Sequence, residues 1–185
     1  MNNNTHNAQN YTETPLPQQE YDSVTFTNCV FTNSDLSESI FEDCTFIDCD
    51  LSMAQLKVTA FRDVTFKNCK MLGLRFDDCN PFLLFFMFEN CVLNFSSFFR
   101  LKIKNTTFVN CKLEEVDFVE AELTNASFKD CDLTNAIFEN TLLEGADFRT
   151  AFNFSIDPER NEISRARFSV QNVVGLLGKY RIRIE

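Results

Sequence analysis

The side chains able to do chemistry are unevenly supplied in this sequence. There is one histidine, His6, beside eight cysteines and 27 Asp or Glu residues. His6 lies in a polar N-terminal stretch, so no imidazole base is expected on the body of the protein. Only four glycines are present, and none forms a phosphate-cradling loop. The carboxylates are numerous enough for a paired acid and base. That chemistry needs a cleft in which to desolvate them, and the pattern of the chain offers none.

The cysteines are more regular. Cys29, Cys49 and Cys69 stand 20 residues apart, as do Cys91, Cys111 and Cys131, with one step of 22 between the two sets. Zinc would need several ligands at one point, usually with histidine among them. An even cysteine count raises a secreted disulfide framework, but residues 1–10 hold no apolar signal core. Side chains stacked in one direction are also poorly placed for a disulfide. The eight cysteines, with Cys44 and Cys79 completing the set, therefore read as reduced packing residues. No cofactor, no metal ligand and no catalytic residue is expected, and the protein is expected to be cytoplasmic.

What positions these residues is a period of five. From Phe26 every fifth residue is large and apolar: Phe26, Phe31, Leu36, Phe41, Phe46, Leu51, and on to Phe76. After Cys79 the frame slips by two residues, then runs from Phe88 to Phe148. Two places before each centre stands a small or modest residue, such as Cys29, Ser34, Ala121 or Ala126, and the remaining places are mostly polar. Five matches neither the helix period nor the strand period. It fits a chain that turns a corner every five residues, four corners closing a square coil of 20.

That coil is testable within the sequence, because residues 20 apart must stack. Phe26, Phe46, Phe66, Phe88, Phe108, Phe128, Phe148 and Phe168 make one such column through the slip, and the six spaced cysteines make another. One coil alone cannot bury its Phe or satisfy its backbone; stacked coils do both. The fold class expected is all-β, a right-handed quadrilateral β-solenoid with a short C-terminal α-helix and strand.

Three segments follow. Residues 1–20, rich in Asn, Gln, Thr and Pro, are expected to be a flexible tail. Residues 21–168 form the solenoid, with a Phe-rich two-residue bulge near 79–87 that either repacks its own aromatics or offers an apolar contact. In residues 169–185 the spacing of Val170, Val173, Val174 and Leu177 predicts a helix. Gly178 ends it, and Tyr180, Ile182 and Ile184 alternate as in a strand.

Net charge is −10 but banded. Residues 22–50 carry seven acidic groups and no basic one; residues 57–112 carry nine basic against four acidic; residues 113–150 carry ten acidic against two basic. Direct nucleic-acid binding would want a basic footprint, so it is not expected; nor is a membrane, since no apolar run is long enough to span one. Acidic residues on stacked rows resemble the charge line of duplex DNA. Glu115, Glu120, Glu139 and Glu144 follow a centre, while Asp117, Glu122, Asp132 and Asp147 precede one. A basic DNA-binding groove would be drawn to such a surface.

The pattern small–Asp–Leu/Phe–polar–polar, as in Ser34-Asp-Leu-Ser-Glu38, Cys131-Asp-Leu-Thr-Asn135 and Ala146-Asp-Phe-Arg-Thr150, resembles the pentapeptide-repeat family over residues 22–152. Rod length, acidity and the C-terminal tail further resemble its Qnr and mycobacterial MfpA-type members. That resemblance implies a non-catalytic DNA mimic binding DNA gyrase or topoisomerase IV, with quinolone resistance as an outcome. It also implies homodimerisation through Val170, Val173, Val174, Leu177, Tyr180, Ile182 and Ile184. The alternatives are a protein-interaction scaffold for another cytoplasmic partner, and a tail that only caps the open end of the solenoid.

Overall fold

The computed structural model describes residues 4–183. Each group of five takes one side of a square and ends at a corner. The corner is made by the residue two places after the centre, which holds positive φ: Asn28 (53°), Asn33 (57°), Asn68 (52°), Glu115 (55°) and Asn125 (57°) are examples. Asn tolerates this left-handed conformation better than most residues, and Gly better still. At Gly145 (φ 68°) a Cβ would also stand 2.4 Å from Asn125 Oδ1. A hydrogen-bonded tight turn closes many of the corners, as where the Ser34 N–H donates to the Phe31 carbonyl at 2.9 Å. The Asp that so often precedes a centre has a local task. Its carboxylate accepts the backbone N–H two residues on, at 2.9 Å from Ser37 to Asp35 and 2.9 Å from Ser52 to Asp50.

Ten short strands arise from these sides: β1 (Thr5–Asn7), β2 (Glu20–Asp22), β3 (Thr25–Thr27), β4 (Ile40–Glu42), β5 (Thr45–Ile47), β6 (Ala60–Arg62), β7 (Val64–Lys67), β8 (Phe86–Glu89), β9 (Thr107–Val109) and β10 (Ser127–Lys129). All pairings are parallel. The first side is a seven-stranded sheet, β1-β3-β5-β7-β8-β9-β10, and the fourth begins as the three-stranded sheet β2-β4-β6. The second and third sides are held by single bridges at the same step, such as Asp50↔Lys70 and Ser97↔Asp117.

The centres all point inward. The Phe column is continuous, with rings stacked 4.7 Å apart at Phe26–Phe46, 5.1 Å at Phe108–Phe128 and 5.3 Å at Phe148–Phe168. A second stack joins Phe76, Phe98, Phe118 and Phe138, and the two stacks meet edge to face. Offset and edge-on contacts each add about 0.5–1.5 kcal/mol beyond burial.

The ends depart from expectation. Residues 5–16 are not a free tail but a further coil. His6 pairs with Phe26 in register and lies over its ring, Tyr11 stacks on Phe31 at 4.7 Å, and Leu16 is buried. Inward residues of other types hide the period there, and an edge strand is available to take them. At the C-terminus two 3-10 segments, Val173–Leu176 and Gly178–Tyr180, replace the expected α-helix. Two glycines weaken an α-helix, and Asn172 is held by its side chain, which donates to the carbonyls of Phe148 (2.7 Å) and Ala151 (2.9 Å). Arg181 then turns left-handed (φ 49°), so Tyr180 and Ile182 do not extend into a strand. Ile184 lies outside the described residues.

The slip divides its aromatics. Phe86 pairs with Val64 and takes that residue's small inward place, fully buried against Phe76 and Phe88. The extra length is thrown outward, leaving Phe82 and Leu83 each 64% exposed.

One corner is visibly strained. Val58, β-branched, sits at φ 60° and is half exposed. Val58→Asn relieves a left-handed penalty of about 1–2 kcal/mol, and thermal melting should show a Tm higher by about 2–4 °C for each kcal/mol recovered. An unchanged or lower Tm would mean that the valine methyl contacts outweigh the strain.

Candidate interaction surfaces

Every large side chain at a centre is spent on the core, so function must lie on the outward positions and the ends. The eight acidic residues singled out above do not share one side. Asp147 is on the first side, Asp132 on the second, Asp117 and Glu139 on the third, Glu122 and Glu144 on the fourth; Glu115 and Glu120 stand at corners.

Most of them are engaged. Arg100 one coil away pairs with Glu120 at 2.7 Å and holds its carboxyl below the usual range. Lys104 pairs with Glu122 at 2.6 Å, Arg160 with Glu139 at 2.8 Å, and Arg165 with Glu144. Asp147 takes Arg149 at 2.8 Å and Arg167 at 3.1 Å, and its carboxyl is lowered chiefly by the Arg149 hydrogen bond. Asp132 accepts from Thr134 and Asn153, which pull its carboxyl down although burial opposes them. Glu115 and Asp117 make no ion pair among the described residues, and Asp117 accepts the Val119 N–H at 2.8 Å.

The pentad pattern does not show the arginine and lysine partners, and the 20-residue step finds only some of them. Arg62 and Glu42, Lys70 and Asp50, and Arg100 and Glu120 are each 20 apart and paired. Exposed pairs of this kind contribute roughly 0–1 kcal/mol each. Their larger effect is to neutralise the acidic coils from above and below.

Two apolar patches are prominent among the described residues. Phe82 and Leu83 project at the slip, with the Arg62 guanidinium 5.9 Å from the Phe82 ring centre. At the C-terminal end Val170 is 86% exposed, Ile182 57% and Tyr180 54%, beside half-exposed Val173 and Val174 and intermediate Leu177. Beneath them Leu176 packs on the core, and Gly175 lies so close to Phe154 that a Cβ would meet its ring at 2.4 Å.

The cysteines are withdrawn from solvent. All eight cysteines are free and buried, and burial pushes the Cys44 thiol up to about 11 and the Cys79 thiol up as well. No group of three or more His, Cys, Asp or Glu side chains that could hold a metal ion occurs among the described residues. No helix among them is long and apolar enough to cross a membrane.

The comparisons with known proteins agree with this geometry. No curated protein sequence matches the chain. Among solved structures, two trypsin-treated variants of QnrB1, described as a plasmid-mediated fluoroquinolone resistance protein, are similar along nearly the whole length. One has TM-score 0.65 at 14% identity, covering 98% of this chain and 97% of that one. The other has TM-score 0.64 at 14% identity, covering 98% of each. At that identity the likeness is one of fold. A family model for the pentapeptide repeat region matches residues 20–81 and 86–152, stopping on either side of the slip. With the square coil, the left-handed corners and the stacked centres in view, the chain belongs to the pentapeptide-repeat family.

Proposed function

We infer that this chain is a non-catalytic binding rod whose partner is a DNA topoisomerase of the gyrase or topoisomerase IV class, engaged by DNA mimicry at the coil around Glu115 and Asp117. The observation that carries the reading is the survival of this acidic edge. Glu114, Glu115 and Asp117 adjoin one another on the second and third sides, without ion pairs among the described residues, while Glu120, Glu122, Glu139, Glu144 and Asp147 of that band are paired with Lys or Arg. A basic DNA-binding groove recognises summed negative charge. The end-to-end likeness to QnrB1 supports a rod of suitable length. The exposed C-terminal patch would join two copies and so double the rod. Eight free thiols suit a reducing cytoplasm.

The test is gyrase supercoiling with and without a quinolone. The wild-type protein should alter the reaction at micromolar concentration or below, and Glu115→Lys with Asp117→Asn should weaken the effect at least tenfold. Asparagine keeps an acceptor for the Val119 N–H, so the fold is retained. A wild-type protein with no effect on supercoiling overturns the topoisomerase reading. A second reading, a scaffold for another cytoplasmic protein, is favoured by Phe82 and Leu83 at the slip. Phe82→Ser with Leu83→Asn would then abolish partner capture while leaving supercoiling untouched.

A further inference from the structure

The six spaced cysteines occupy one place in successive coils. Each sulfur lies 3.3–3.4 Å from the carbonyl oxygen two residues before it: Cys29 with Thr27, Cys49 with Ile47, Cys69 with Lys67, Cys91 with Glu89, Cys111 with Val109, Cys131 with Lys129. The repeated contact fixes one side-chain direction, so the sulfurs form a line along the rod. The neighbouring Phe column steps by 4.7–5.4 Å, and the strands of the sheet by about 4.8 Å.

We propose that this line of thiols is a binding track for soft monovalent cations, of the Cu(I) or Ag(I) class, each held linearly between two sulfurs of adjacent coils. A metal–sulfur bond of about 2.3 Å on each side needs sulfurs about 4.6 Å apart, close to the rung spacing. Cys49, Cys69 and Cys91 also place their sulfurs 3.4–3.5 Å from carbonyls of the preceding coil, at Phe26, Phe46 and Phe66, so each sulfur lies between adjacent coils. A straight line offers two ligands per cation, which excludes tetrahedral zinc and agrees with the absence of any three-ligand cluster among the described residues.

Charge nearly balances at a buried site. Metal-bound sulfur is thiolate, so the filled line exchanges six thiol protons for five cations, and each interior sulfur bridges two cations. The buried line then carries only one net negative charge. A groove of about 270 Å³ on the outside of the shaft is lined by Cys91 and Cys111 together with Lys112, Asp130 and Asp132. This inference is independent of any topoisomerase.

Silver nitrate in chloride-free buffer is the probe, with native mass spectrometry for stoichiometry, a pH-stat for proton release and circular dichroism for fold. Six stacked cysteines have five intervals, so up to five Ag(I) per chain are expected, with six protons released as every bound sulfur becomes thiolate. Cys91→Ser removes two of the five intervals and should lower the count to three. Serine already fills the equivalent small position at Ser96, where its hydroxyl donates to the Met71 carbonyl at 2.9 Å, so the variant should fold. Cys79→Ser, outside the line, should leave the count unchanged. Uptake unaltered by Cys91→Ser, uptake without proton release, or uptake only as the β signal collapses would each overturn the proposal.

Discussion

Phe108→Ala is expected to destabilise the protein by about 3–5 kcal/mol, the usual range for truncating a buried Phe. Phe108 is fully buried and stacked between Phe88 and Phe128, each 5.1 Å away, with Phe98 and Phe118 edge-on at 5.9 and 6.1 Å. A globular core can relax into part of the cavity. This one cannot easily do so, because the coils above and below are fixed by parallel backbone ladders on the first side. Lys112→Gln, outward on the same coil, should change stability by no more than about 0.5 kcal/mol. Phe168→Ala, at the partly buried end of the column, should fall between the two. Denaturant unfolding of the three variants checks the order. Equal losses at Phe108 and Lys112 would contradict the inward assignment of the centres.

The coil was legible because its inward positions repeat residue type: Phe over Phe, Cys over Cys. Where inward positions change type, the repeat disappears from view. His6, Tyr11 and Leu16 take core places in the first coil, yet Pro15, Pro17 and the surrounding polar residues read as a tail. Phe86 entering a position normally held by a small residue is visible only as a slip, since the sequence does not say which of Phe82, Phe85 and Phe86 turns inward. The C-terminal spacing did suggest a helix. That signal is blind to the anchoring of Asn172 on the shaft and to the left-handed turn at Arg181.

The charged positions teach a different lesson. Counting by segment showed the acidic band at 113–150, but segments of a solenoid are rings. Ten acidic groups in sequence become carboxylates on four sides, facing arginines from the coils before and after. The 20-residue step applied to outward positions finds Arg100 for Glu120 and Arg167 for Asp147, whereas Lys104, Arg160 and Arg165 reach their carboxylates from 18 or 21 residues away. Glu115 and Asp117 keep no ion pair among the described residues, which is why the functional test is aimed there.

The largest change in the size of the particle is expected from the C-terminal patch. Val170, Val173, Val174, Leu177, Tyr180 and Ile182 are apolar and at least partly exposed in a single chain. In a two-fold interface each counts twice. Full burial contributes roughly 1.5–3 kcal/mol per aliphatic or Phe-sized side chain, against an association cost on the order of 4–15 kcal/mol. The homodimer proposed above would bury this patch on both copies. Wild-type protein should therefore elute at twice the 21.4 kDa chain mass, and Val170→Lys with Val174→Lys should return it to one chain. Because these side chains lie outside the core, the variant should keep its β signal and lose only the concentration dependence of its Tm. Met87→Lys, an exposed apolar position on the first side, should leave the mass unchanged. A wild-type mass of one chain at all micromolar concentrations would instead restrict the tail to closing the end of the shaft, through Asn172 on the Phe148 and Ala151 carbonyls.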